Sequence, residues 1–363
     1  MSFPKPENAR TGVTWRRVGL AVLGVLTAGG FFAPVEWARD LFGPFSVVRF
    51  VVMAGFVALC WASRPRTDVA ESMAHAPRSA RILAIVVPAL VVVAAVIQVA
   101  WPEFAAWLVR DEVRGPNYRH AIFVKAAFEL ASCVIFVILS VSFFRRKHRQ
   151  AGAGVVSALL AFVTVVLAGE ELSWGQRIFS WATPAGFAAA NDQRETNVHN
   201  MATYLFQDTW YFGCWVLLVA LPFFRPGLSA LLARTKKLLF LRDFLPPSYF
   251  VMIFALVYAL VDPARTAVGI RFGSILFSIL GTAAILVYLI MVGGGKLVIR
   301  CLALLAGFIV VLALELVWSR TASINMGVPM EYLETFIAFG IVVWALAVWK
   351  QVHARRAEVG EDA

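Results

Sequence analysis

The stretch GVVSALLAFVTVVLAGEELSWGQRIF, Gly154 to Phe179, changes character within one helical turn. Gly154 to Ala168 is apolar apart from Ser157 and Thr164; then come Gly169, two glutamates, a glutamine and an arginine. An apolar run of that length crosses a bilayer as a helix, because hydrocarbon offers no partner to backbone N–H and C=O groups. The polar residues behind it mark where the span leaves the lipid. The same alternation recurs along the chain. Mean hydropathy is +0.77, and charged residues make up 15%, against about 25% in a soluble domain.

Working outward, the apolar runs predict an all-α polytopic transmembrane bundle of about ten spans. They fall near 17–35, 45–63, 81–101, 120–144, 154–172, 201–224, 248–262, 271–294, 297–319 and 330–349. Residues 1–363 read as a single integral membrane domain, with 173–200 as an extracytoplasmic loop between the fifth and sixth spans. The first run, Val18 to Ala33, follows basic residues as a signal peptide would, but lacks a small-residue cleavage site and reads as a retained helix.

The net charge of +11 is a matter of topology. Most Lys and Arg fall in alternate connections, such as Arg145, Arg146, Lys147 and Arg149, then Arg225, Arg234, Lys236, Lys237 and Arg242. Cytoplasmic loops carry that excess, so both termini are expected to be cytoplasmic. A nucleic-acid partner is thereby excluded. Cys60, Cys133, Cys214 and Cys301 all sit in apolar runs without paired spacing, which argues against a disulfide framework or cysteine metal site.

Ionisable residues inside spans are costly and usually functional. Here they are Arg49, Lys125, Glu129, Glu170, Glu171, Asp208, Glu315 and Glu334, with Glu331 near a span end. By direction of travel they gather in the outer halves, which predicts a polar chamber open to the extracytoplasmic side. Two plainer readings compete: Lys125 and Glu129 are spaced i, i+4 and could form an intrahelical pair, or Glu129 could neutralise Arg49.

The loop adds chemistry to that chamber. Glu170 and Glu171 project about 100° apart on a helix, so one faces the chamber while the other pairs with Arg177 or Lys125. Thr183-Pro184 reads as a helix start, followed by PAGFAAA. A further helix from near Glu195 would place Glu195 and His199 on one face, with Asn197 and Asn200 beside them. Glu171, His199, Glu195 and Glu170 are therefore the candidate catalytic residues. Arg177 and Arg119 suit an anionic headgroup, and Gln176, Trp174, Asn197, Asn200, Gln193 and Glu315 complete the substrate-binding set. Two chemistries stay open. Glu171, Glu195, His199 and His120 would bind a divalent metal, or Glu171 or His199 is a metal-free base. Ser173 lies outside any G-x-S-x-G frame.

The run Gly169, Glu170, Glu171, Ser173, Trp174, Gly175, Gln176, Arg177, Phe179 continues through Thr183, Pro184, Asn191, Gln193, Glu195, Thr196, Asn197, His199 and Asn200. It resembles the signature of an uncharacterised family of bacterial multi-pass membrane proteins. The resemblance implies bacterial origin and a site at this loop, and leaves the reaction open; with the spans, the expected location is the bacterial cytoplasmic (inner) membrane. The residues favour an intramembrane transferase or hydrolase acting on a lipid or lipid-linked substrate from the outer side. A non-catalytic partner or scaffold of an envelope assembly is the alternative, followed by a transporter of small molecules or lipids, for which the inner halves lack polar groups.

Overall fold

The computed structural model describes residues 76–109, 120–145, 151–191, 195–198, 210–260, 273–321 and 328–359. Every regular element among them is helical: α1 (Arg78–Ala100), α2 (Pro102–Val109), α3 (His120–Phe144), α4 (Ala151–Glu171) and the short α5 (Ala185–Ala190). They are followed by α6 (Trp210–Ala233), α7 (Phe250–Ala259), α8 (Gly273–Val292), α9 (Lys296–Thr321) and α10 (Val328–Val359). Among the described residues six helices are long and apolar enough to cross a membrane: α1, α3, α4, α6, α9 and α10. Their outward faces carry bare apolar side chains such as Ile85, Phe162 and Ile309, which water would penalise and lipid accepts. The protein is a multi-pass membrane protein.

These helices match the expected third to sixth, ninth and tenth spans; the expected first two lie outside the described residues. The expected seventh span differs. Phe250–Ala259 is only ten residues long and changes from α to 3-10 geometry after Phe254. Every residue from Phe250 to Leu260 is buried. At about 1.5 Å per residue it reaches roughly half way through the hydrocarbon. A continuous apolar run cannot distinguish that from a full span.

The close packing that positions the site begins on α4. Its buried residues are Ala153, Gly154, Ser157, Ala161, Thr164 and Ala168, a stripe of small side chains at helical spacing. Small residues let helix backbones approach where lipid gives no hydrophobic drive. α4 packs against α3 along this stripe, and Ser140 Oγ donates to the Gly154 carbonyl at 3.0 Å. Thr164 Oγ1 bonds the carbonyls of Leu160 and Ala161, so its hydroxyl stays satisfied within the helix.

α3 and α10 run in the same direction, with edge-on aromatic pairs at Phe128–Phe339 (5.5 Å) and Phe136–Trp344 (5.3 Å). α6 follows them, and contains a π-helical turn at Val216–Ala220 that closes on a bond from Leu221 N–H to the Val216 carbonyl. Pro222 explains it: it has no N–H to offer the Leu218 carbonyl, and its ring pushes that carbonyl aside. Consequently the starts of α3, α6 and α10 and the end of α4 meet at one end of the bundle. The far end is basic. There Arg225 of α6 donates to the Leu245 carbonyl and to Gln351, and Arg355 of α10 pairs with Asp243 at 2.8 Å.

Candidate functional site

At the polar end, Lys125 is the hub. It sits in the second turn of α3 with 3% of its side chain exposed. Its Nζ lies 2.9 Å from Glu171 Oε2, 3.0 Å from Glu331 Oε2 and 2.7 Å from Glu334 Oε2. The carboxylates come from the last residue of α4 and the first two turns of α10, where a spacing of three puts Glu331 and Glu334 on one face. Each stays partly open, at 22%, 24% and 19%. Tyr211 of α6 is fully buried and donates to Glu334 Oε1 at 2.6 Å.

Glu129 lies one turn along α3 from Lys125. It is buried, interacts electrostatically with Glu171, Lys125 and Glu334, and its Oε2 has no hydrogen-bond partner. The intrahelical Lys125–Glu129 pair is not formed, because the ammonium is drawn by three carboxylates on other helices. Arg49, the other partner considered for Glu129, lies outside the described residues. One ammonium therefore faces three carboxylates in direct contact and a fourth behind it.

Beside this cluster the loop ties itself together. The chain leaves α4 through Ser173, Trp174 and Gly175, with φ of 48°, 54° and 92°. Two non-glycine residues in the left-handed region cost about 1–2 kcal/mol each, and the surrounding bonds offset that strain. Buried Ser173 donates from Oγ to Glu195 Oε2 at 2.9 Å and accepts from Arg177 Nε at 3.2 Å. Arg177 Nη2 reaches both Glu195 oxygens at 2.6 Å. The Ser173 carbonyl accepts from Thr196 Oγ1 at 2.7 Å. Gln176 Oε1 accepts from Thr196 N and Oγ1, and its Nε2 donates to Thr183 Oγ1 at 2.6 Å. Asn197 Nδ2 donates to Glu195 Oε2 at 3.0 Å, while buried Asn191 donates to the Asn197 carbonyl and Oδ1.

The two adjacent glutamates divide as their angular separation requires. Glu171 joins Lys125, while Glu170 accepts from Trp174 Nε1 at 2.6 Å and Val198 N at 2.7 Å. Residues 195–198 form a bent segment without helical bonding, so the helical face expected from Glu195 towards His199 does not form there. The bonds from Glu195, Thr196 and Asn197 back to the Ser173 turn explain why. Of the expected site residues, His199, Asn200, Gln193 and Arg119 lie outside the described residues, as does the side chain of His120.

No protein-family model, curated protein or solved structure matches the chain.

Glu315 of α9 is buried beside Gln98 of α1, whose side-chain amide, in the orientation that satisfies both groups, donates to both carboxylate oxygens at 2.8 Å. It also acts electrostatically on Tyr332 of α10, so it belongs to the same end of the bundle but contacts α1 rather than the ammonium. Among the described residues no three His, Cys, Asp or Glu side chains group as metal ligands. Glu171 and Glu195, both expected in a metal set, are held by different cations. Glu331 and Glu334 were visible in the sequence as charges at a span start. Tyr211 was missed, since a tyrosine at a span end ordinarily reads as an interfacial anchor.

Exposed aromatic side chains rim the loop. Phe179 and Trp181 stack at 5.5 Å, and Trp174 and Ile178 are also open. Such residues favour the boundary between hydrocarbon and headgroups.

Proposed function

We propose that this protein is a membrane-embedded transferase or hydrolase that acts on a lipid or lipid-linked substrate from the extracytoplasmic side of a bacterial cytoplasmic membrane. The observation that carries this reading is the convergence of three partly open carboxylates, from two helices, on the buried ammonium of Lys125. A partly open carboxylate in poorly solvated surroundings can take a proton from a substrate hydroxyl or water. Glu171 is the candidate base, because it ends its helix where the chain leaves the lipid. Lys125 supplies fixed positive charge for an oxygen that becomes negative in the transition state. The aromatic rim at Trp174, Phe179 and Trp181 supports a substrate that arrives along the membrane boundary. In this reading Arg177 and Glu195 hold the loop in shape and are not the reacting groups. Both termini are taken as cytoplasmic, since the far ends of the helices carry the basic residues.

A non-catalytic role in an envelope assembly is favoured by one observation, the dense internal pairing of the Ser173–Asn197 loop. Lipid extracts of a deletion strain and its complemented parent separate the two. An enzyme leaves one lipid or lipid-linked species accumulated and another depleted on deletion, whereas a scaffold changes neither in proportion to protein level.

A further inference from the structure

A groove of about 400 Å³ opens between α1, α7 and α9, at the basic end of the bundle and away from the Lys125 cluster. Its walls are apolar, with Pro88 and Val92 on α1, Leu256 on α7 and Ala303 and Gly307 on α9. Its mouth is not. Arg81 lies in the first turn of α1, Arg300 near the start of α9, and Tyr249 just before α7; all three line the groove. Among the described residues no acidic side chain lines it, and neither guanidinium has an acidic partner. Both guanidiniums are exposed at the mouth, beside an apolar slot.

The dimensions point to the occupant. From Arg81 to Val92 the α1 wall rises about 16 Å, and from Arg300 to Gly307 the α9 wall rises about 10 Å. The first figure is about half of a ~30 Å hydrocarbon layer, the depth of one leaflet. Gly307 lets α9 approach α7 closely along the slot, since a Cβ there would come within 3.1 Å of Leu256 Cδ2. A slot one leaflet deep, apolar inside and doubly cationic at its mouth, matches a phospholipid with its acyl chain in the slot and its phosphate between two guanidiniums.

We infer that this groove is a binding site for an anionic phospholipid of the leaflet at the basic end. The site is separate from the proposed reaction centre, and does not depend on it.

The test is a thermal-shift titration of the purified full chain in detergent, with phosphatidylglycerol and, in parallel, phosphatidylcholine. The wild type should be stabilised by phosphatidylglycerol at much lower concentration than by phosphatidylcholine. Replacing both arginines, Arg81→Gln with Arg300→Gln, should weaken the phosphatidylglycerol response about 30-fold, corresponding to ~2 kcal/mol for two arginines at an anionic surface. Ala303→Phe keeps both charges and fills the slot from an exposed position, and should weaken it comparably. Equal responses to the two lipids, or variants that respond like the wild type, overturn the proposal. A loss of stability in Ala303→Phe without added lipid also overturns it, since the slot would then hold protein, from this chain or a second copy.

Discussion

Lys125 Nζ lies 2.9 Å from Oε2 of Glu171, which joins the second turn of α3 to the last residue of α4. The small-residue stripe on α4 makes that contact possible, and the contact closes the polar end of the α3–α4 pair. Lys125 also serves Glu331 and Glu334, so the two partners are not equivalent. Lys125→Met leaves three carboxylates facing one another and should cost about 3–5 kcal/mol. Glu171→Gln leaves the ammonium with two partners and should cost about 1 kcal/mol or less, since the side chain is partly exposed. Thermal unfolding in detergent measures both. Equal losses would mean that Lys125 is not the hub.

Arg177 holds Glu195 through both carboxylate oxygens and also reaches Ser173 Oγ. A lysine cannot reproduce that fork. Arg177→Lys should loosen the loop by about 1.5–3 kcal/mol, the value of a hydrogen bond to a charged group. Amide exchange at Thr196 and Val198, whose N–H groups bond Gln176 and Glu170, should then speed up roughly ten- to a hundred-fold. Unchanged exchange would show that the loop does not depend on this pair.

Helical class and six of the spans were legible because lipid imposes one rule on every apolar run. Lys125, Glu171 and Glu334 were also legible, as charges where charges are expensive. What was not legible depended on backbone geometry. Gly175 announces a left-handed turn, but Ser173 and Trp174 do not, and the turn is held by bonds from Ser173 to residues more than twenty positions away and from Trp174 back to Glu170. The i, i+4 spacing of Glu195 and His199 suggests a shared face only if the segment is helical, and residues 195–198 are pulled into the turn instead. The run 248–262 reads as a full span because burial inside protein and burial in lipid select the same residues.

Two alanine substitutions test the turn. Gly175 has φ +92°, and a Cβ there would meet Trp181 Cη2 at 2.9 Å. Gly175→Ala should therefore lower stability by about 1–3 kcal/mol. Gly186, inside α5 with nothing within 4 Å of its Cβ position, is the control. Gly186→Ala should be neutral or raise stability by about 0.5–1 kcal/mol. Similar unfolding temperatures for the two variants would contradict the strained turn.

Orientation can be read directly. In a background whose own cysteines are replaced by alanine, Ala189→Cys lies on the loop and Lys237→Cys at the basic end; both positions are exposed. A membrane-impermeant maleimide added to whole bacterial cells with a permeabilised outer membrane should label the first and miss the second. The reverse pattern would place the Lys125 cluster on the cytoplasmic side.

The most direct test of the acid–base claim is the turnover of Glu171→Gln on the lipid species that accumulates in the deletion strain, measured in membranes with matched protein level and unfolding temperature. The glutamine keeps size and one acceptor oxygen, but cannot carry a proton between substrate and site. Turnover should fall by roughly 10²–10⁴-fold while the unfolding temperature stays near that of the wild type. A variant that folds normally and converts the lipid at the wild-type rate would contradict a catalytic role for Glu171.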